Sequence, residues 1–422
     1  RLIFTLLMLI VVRIGSQLPI PGINGEFFSN WFSENASGAF GFFDAITGGS
    51  FENMSVFALN ITPYITSSII IQLLTIAIPK FEELHKDGEE GRKKLTAITR
   101  YLTVALAVLE SLAMSIGFGR QGLLLEYNAL NVIMTVITLT AGSTVVMWIG
   151  ERITEKGVGN GISIVLVINI ISRIPSDLTR LFEQFVQGKE IANAVLNAAI
   201  IIAIIVGIVI LVVLLQGAQR RIPVQYSRKV MGRKQVGGQS SHIPLKINTA
   251  GVIPIIFAQS LLMFPVIICN LAGVTGGSGI GGKILNMLSQ TNWFDFETPI
   301  NNIGLGIYIL LVIAFAYFYT SITFNPLEIA DNMKKQGGFI PGIRPGKPTS
   351  DYLAKMLNYI IFIGAVGLVI VAIIPIFFEG VFNASVSFGG TSLIIIVGVV
   401  IETLKQIESQ MLVRNYKGFL ND

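Results

Sequence analysis

Runs of about twenty apolar residues recur along this chain, each long enough to cross the hydrocarbon core of a bilayer. Spans are expected at about 2–19, 55–78, 97–117, 128–149, 160–174, 194–216, 250–271, 304–324, 354–378 and 391–410. The fifth is short, roughly 15 residues, and opens on Gly157-Val158-Gly159-Asn160-Gly161. Composition agrees. Hydrophobic residues make up 52% of the 422 and charged residues 13%, against roughly 25% charged in a soluble domain. Length alone would suggest two or three soluble domains, but the charge depletion is global and overrides that prior. The expected fold class is an all-α membrane protein with ten transmembrane helices.

Cys269 is the single cysteine, so no intrachain disulfide framework exists. His85 and His242 stand far apart in polar loops, which argues against a zinc or haem site. No cofactor and no metal are expected. Position 1 is Arg rather than Met, so trimming of the natural N-terminus is expected. The first apolar run is not read as a cleaved signal peptide, because many longer spans follow it.

The connecting segments alternate in charge. One set carries Lys80, Lys86, Arg92, Lys93, Lys94, Arg152, Lys156, Arg220, Arg221, Arg228, Lys229, Arg233, Lys234, Lys246, Lys334, Lys335, Arg344, Lys347, Lys355, Arg414 and Lys417. The other carries only Arg120, Arg173, Arg180, Lys189 and Lys283. The positive-inside rule then puts both termini in the cytoplasm with an even span count. Topology alone explains most of this bias, though not the length of two basic loops, at about 217–248 and 326–350.

Span two carries Ile61-Thr62-Pro63-Tyr64-Ile65 and span seven carries Val252-Ile253-Pro254-Ile255-Ile256. Span five opens with Gly161-Ile162-Ser163-Ile164, and span ten with Gly390-Thr391-Ser392-Leu393. Spans 1–5 and 6–10 therefore look like two copies, at 1–193 and 194–422. Five is odd, so the copies face opposite ways across the membrane, and such repeats place the functional path at their interface. The expected architecture is two pseudo-symmetric inverted five-helix halves around a central pore.

The segment Ile61 to Leu74 (ITPYITSSIIIQLL) closely resembles the second span of the SecY family. GVGNGISI (157–164), GQSSHIPLKIN (238–248), AGVIPIIF (250–257), ADNMKKQGGFIPGIRPGK (330–347) and FGGTSLIII (388–396) follow in family order. The resemblance implies a clamshell around an hourglass pore in the bacterial cytoplasmic membrane. Through that pore secretory preproteins cross, and from it signal sequences and hydrophobic segments leave sideways into lipid. It further implies SecE and SecG as companion subunits and SecA or the ribosome as the driving partner. The basic loops add anionic lipids as neighbours.

A conduit for polypeptide must not leak ions. A constriction of bulky aliphatic side chains stays dry when empty and yields to varied substrates. By resemblance, the ring positions are Ile61, Ile65, Ile162, Leu166, Ile256 and Ile395. The pairs 61/65 and 162/166 are four apart, so each presents one helical face. Isoleucine is abundant here, and any single one also fits a lipid-facing or core place.

Residues Phe40 to Asn53 match the family's plug, a short half-helix that includes Phe43, Asp44, Ile46, Gly48 and Gly49; they also read as an ordinary outer loop. The lateral gate is expected between spans two and seven, at Tyr64, Thr66, Gln72, Gln259, Ser260 and Phe264. Polar groups there need partners across the helix interface. Glu110, in mid-span three, is a functional candidate by its cost in lipid, or it pairs with a neighbour or is protonated. Arg13 lies nearer an edge and can snorkel.

Arg228, Arg233 and Lys234 in one basic loop, and Lys334, Lys335, Arg344 and Lys347 in the other, are the expected docking residues for the motor or ribosome. Gly342-Ile343-Arg344-Pro345-Gly346 reads as a turn displaying its arginine. Gly277-Ser278-Gly279-Ile280-Gly281-Gly282-Lys283 imitates a phosphate-binding loop. It lacks the following Ser or Thr and follows no expected strand, so it reads as a flexible outer loop. No nucleophile–base constellation is visible, so the chain is not expected to be an enzyme. The alternative is a secondary transporter, which would want a charged midplane site; Glu110 and Arg13 are the clear candidates for one.

Overall fold

A computed structural model describes residues 1–35, 44, 46–187, 191–226, 229–231, 234–236, 240–271, 280–288, 293–294, 299–382 and 390–418. The first half holds α1 Leu2–Gly15, α2 Gly25–Asn35, α3 Thr62–Ala77, α4 Pro79–Lys86, α5 Gly88–Phe118, α6 Ala129–Lys156 and α7 Gly161–Phe185. After α8 Ile191–Gly217 come β1 Gln219–Tyr226, β2 Lys229–Met231, β3 Lys234–Val236 and β4 Ser240–Lys246. Then follow α9 Ile253–Leu271, α10 Ile280–Leu288, α11 Asn302–Thr323, α12 Pro326–Lys335, β5 Gly338–Phe339, α13 Lys347–Phe382 and α14 Gly390–Gly418.

Each expected span falls on a helix, namely α1, α3, α5, α6, α7, α8, α9, α11, α13 and α14. By length and apolarity alone, six described helices can cross a bilayer, or seven if the bent pair α3–α4 is one span. Helix α1 and the first part of α9 are shorter apolar helices. Helix α14 carries Glu402, Lys405 and Glu408 past its first three turns. The axis bends by 105° between α3 and α4. Ile78 there is extended, at φ −120° and ψ 115°, as the residue before a proline prefers.

Three expectations need correction. The fifth span is not short: α7 runs 25 residues and passes through Pro175. A helix-interior proline forfeits one backbone hydrogen bond. Here Leu181 beyond it packs with Ile174, Phe185, Ile201 and Ile205, and that burial carries α7 onward against α8. The chain is also not purely α, because the two basic loops form a sheet of order β4-β1-β5 beside a β2-β3 hairpin. Finally, Ile280 to Lys283 open α10 rather than a flexible loop, while Gly277 to Gly279 lie outside the described residues.

Large apolar side chains of α8, among them Val195, Leu196, Ile202, Ile210 and Leu214, are exposed, as lipid-facing residues are. The buried apolar residues gather in separate clusters. One uses residues from Ile208 onward, around Trp293 and Tyr308. A second uses residues up to Leu139, with the Phe28 ring against those of Phe32, Phe51 and Phe118, and Phe32 against Phe51. A third draws on both ends of the chain, from Val12 to Ile395.

Candidate functional site: an aliphatic constriction with a seated loop

The third cluster contains Ile61, Leu166 and Ile395, all buried, and Ile65 and Ile162 pack against it half-buried. Ile256 is not part of it. Instead Ile256 lines a cavity of about 500 Å³ together with Ile65 and Ile162. Five of the six expected ring residues thus meet in one apolar cluster, and the sixth lines a cavity with two of them.

The local structure explains why Ile162 sits where it does. Asn160 caps α7, its Oδ1 accepting from the backbone N–H of Ile162 at 3.2 Å and of Ser163 at 3.4 Å. Ile61 lies just ahead of α3 and Ile65 one turn on, so both address the cluster. The cavity walls become polar away from it. Tyr64, Ser68 and Gln72 come from α3, Arg100 from α5, and Glu151, Thr154 and Glu155 from α6. Arg100 Nε donates to Glu151 Oε1 at 2.7 Å. Charged and aliphatic side chains thus line one cavity, and its isoleucines offer water no hydrogen-bond partners.

The expected gate residues are only partly brought together. Tyr64 and Gln72 line the cavity. The Thr66 hydroxyl donates to the Thr62 carbonyl of its own helix at 3.1 Å. Gln259 is buried with its Oε1 unpartnered among the described residues, and Ser260 is exposed. Phe264 lies in α9, and its side chain is outside the described residues. Among the described residues the Gln259 Oε1 has no partner across the helix interface, and α3 and α9 share the wall of a cavity. Glu110 lies half-buried in α5.

Phe43 is outside the described residues. Asp44 and Ile46 are buried, and Ile46 belongs to the cluster that holds the ring residues. Gly48 and Gly49 take left-handed φ of 70° and 82°, which glycine adopts without strain. Asp44 Oδ1 accepts from the Glu52 N–H at 2.8 Å, and Asn60 Nδ2 donates to the Thr47 carbonyl at 3.3 Å. Two arginines reach this loop. Arg13 Nη1 donates to the Gly48 carbonyl at 3.2 Å. Arg173 ion-pairs with Asp44, and with Glu52 Oε2 at 3.0 Å. Sequence reasoning missed Glu52, Asn60 and Arg173 as site residues and left Arg13 to snorkel. The available signal was Arg173 and Asp177 one turn apart in an apolar stretch, where charge is costly without a role.

The basic loops form one body. Strand β1 pairs antiparallel with β4 over Gln219↔Lys246 to Gln225↔Ser240, and with β5 at Gln225↔Phe339 and Tyr226↔Gly338. Alternate residues Ile222 and Val224 point inward and pack with Leu245, Met333, Ile340, Leu353 and Ile360. Lys334, Lys335, Arg344 and Lys347 remain exposed. Arg344 lies between Gly342 and Gly346, both at positive φ, and its carbonyl accepts from Thr349 Oγ1 at 2.8 Å. Lys234 lies in β3, with its side chain outside the described residues, as are Arg228 and Arg233 entirely. No group of three or more metal-ligating side chains occurs among the described residues.

A largely helical chain with six described helices long and apolar enough to cross a bilayer belongs to the class of polytopic membrane proteins. The family model described as SecY matches residues 55–404. The protein translocase subunit SecY of Halalkalibacterium halodurans is 44% identical over all of this chain and 96% of its own length. That of Streptomyces scabiei is also 44% identical, over 100% of this chain and 96% of its own. Among solved structures, "The structure of a protein conducting channel" aligns with TM-score 0.67 at 19% identity, covering 97% of this chain and 92% of that one. "Sec61 in the Canine ribosome-channel complex from the endoplasmic reticulum" aligns with TM-score 0.64 at 19% identity, over the same shares. The chain belongs to the SecY family.

Proposed function

We propose that this chain is the channel through which unfolded secretory polypeptides cross the bacterial cytoplasmic membrane, and from which hydrophobic segments leave sideways into lipid. The observation that carries this reading is the match to protein translocase subunits along the entire chain. Ten spans form two inverted halves, 1–193 and 194–422, with both termini in the cytoplasm. What supports the halves is local symmetry. Pro63 and Pro254 are each the second residue of their helix, and Gly161 and Gly390 each the first.

Ile61, Ile65, Ile162, Leu166, Ile256 and Ile395 form the seal. It works by excluding water, since ions crossing an unwetted hydrocarbon collar lose hydration without compensation. The segment around Asp44 to Gly49 is the plug. Helices α3 and α9 flank the lateral gate, with Tyr64, Thr66, Gln72, Gln259, Ser260 and Phe264 along it. The sheet of β1, β4 and β5 holds the exposed cations rigidly for SecA or a ribosome, which supplies the driving force, so the chain itself is not an enzyme. SecE and SecG complete the assembly. The test is reconstitution of the chain with SecE, SecG, SecA and ATP in vesicles. Protease-protected preprotein should accumulate inside, and vesicles that accumulate none refute the reading.

A further inference from the structure

Where the loop following Asp44 meets α7, three charged side chains converge out of water. The Arg173 side chain is 9% exposed and Asp44 is 0% exposed, while Glu52 is 23% exposed. A guanidinium this deep persists only when paired, because its desolvation is otherwise uncompensated. The loop supplies both carboxylates and α7 supplies the cation, from 121 positions away. Gly48 closes the same contact from its other side. Its carbonyl accepts from Arg13 of α1, and its α-carbon lies against Asn169 of α7. Ion pairs differ from apolar contacts in one useful way. Dry, they resist separation; once water reaches them, each charge is rehydrated and the pair weakens to almost nothing.

We propose that Arg173 is a positioning residue for the channel seal. Its pairs with Asp44 and Glu52, seconded by the Arg13 bond to Gly48, form a latch that keeps this loop seated beside the aliphatic ring until a translocating chain displaces it and wets the contact. The latch rests on the channel reading and deepens it. It is a resting-state device, so it sets how often the empty channel opens and leaves the size of the open channel unchanged.

The test uses the full-length chain with its partner subunits in planar bilayers, comparing Arg173→Met, Asp44→Asn and Arg173→Lys. Resting open probability should rise at least about tenfold in Arg173→Met, which strips the buried Asp44 carboxylate of its cation, and in Asp44→Asn, which leaves Arg173 only the partly exposed Glu52. It should rise less in Arg173→Lys, which keeps the charge. The variant Arg173→Met/Asp44→Leu/Glu52→Gln should fall back toward the parent, since no loop carboxylate is then left without its cation. Conductance of a channel held open by a stalled preprotein should be the same in all of them. Should Arg173→Met fail to insert, Asp44→Asn decides alone. If these variants stay as tight as the parent while Ile65→Gly/Ile256→Gly leaks, the latch is wrong and the channel reading stands. If no variant leaks and a stalled preprotein opens no current in the parent, the channel reading falls and the latch with it.

Discussion

Substituting Gly48 by alanine should unseat the loop around it, and the size of the effect follows from the geometry. A Cβ at Gly48 would lie 2.8 Å from the Cα and carbonyl oxygen of Asn169. Comfortable carbon contacts are about 3.5–4.0 Å. The obstacle is backbone of α7, so the loop must move by most of an ångström or more. Overpacking of this kind costs about 1–3 kcal/mol. The left-handed φ of 70° adds about 1–2 kcal/mol for a residue with a Cβ. Both terms act only while the loop is seated, so together they shift the seated–unseated equilibrium by about 2–5 kcal/mol, a factor of roughly 30 to several thousand. Gly49→Ala is the internal control. Its φ is 82°, but its Cβ would meet nothing closer than 3.8 Å, so the backbone term alone remains, worth roughly tenfold. Single-channel recording on the reconstituted complex should rank resting open probability Gly48→Ala above Gly49→Ala above parent. Equal effects at the two positions, or a tight Gly48→Ala channel with unchanged thermal stability, would refute the seating geometry.

Other outcomes follow from the same structure. Ile65→Gly combined with Ile256→Gly should raise resting ion conductance, because two walls of the cavity floor lose their hydrocarbon; unchanged conductance in planar bilayers would remove both from the seal. Arg344→Glu should slow motor- or ribosome-driven translocation while protein level and insertion stay normal, since the side chain is exposed and holds no buried contact; normal secretion would take it off the docking face. Asn160→Ala should lower stability by about 1 kcal/mol through loss of the α7 cap, read as a drop in melting temperature in detergent; no drop would mean the cap is dispensable. Leu353→Ala, beneath the sheet, should cost about 2–5 kcal/mol and expose the β1–β5 junction to protease; resistance equal to the parent would show that the sheet does not depend on this core.

The apolar helices were legible because hydrocarbon demands one kind of segment, and the chain writes it repeatedly from Leu2 to Leu404. The proposed ring was suggested only by resemblance. Nothing about Ile61 or Ile395 separates them from the lipid-facing isoleucines of α8 until the chain is folded. Two errors have physical causes. The fifth span, expected at about 160–174, runs on through Pro175, where burial of Leu181 against α8 offsets one lost hydrogen bond. The sheet was hidden because its strands sit in basic loops, and Ile222 and Val224 give only two beats of alternation. The ionic contacts of the loop at Asp44 to Asn53 were invisible for another reason. Residues 44, 52 and 173 are brought together by tertiary packing, and no local pattern announces a pairing across that separation.

The central claim is that a passing polypeptide is gripped by a collar of aliphatic side chains and by nothing else at that depth. Photo-crosslinkers placed one at a time at positions 65, 162, 256 and 395, with position 137 on the exposed flank of α6 as control, test it against a preprotein stalled in transit. The account predicts adducts to the stalled chain from all four positions and none from 137. Adducts from 137, or silence from the four while translocation proceeds, would place the path elsewhere.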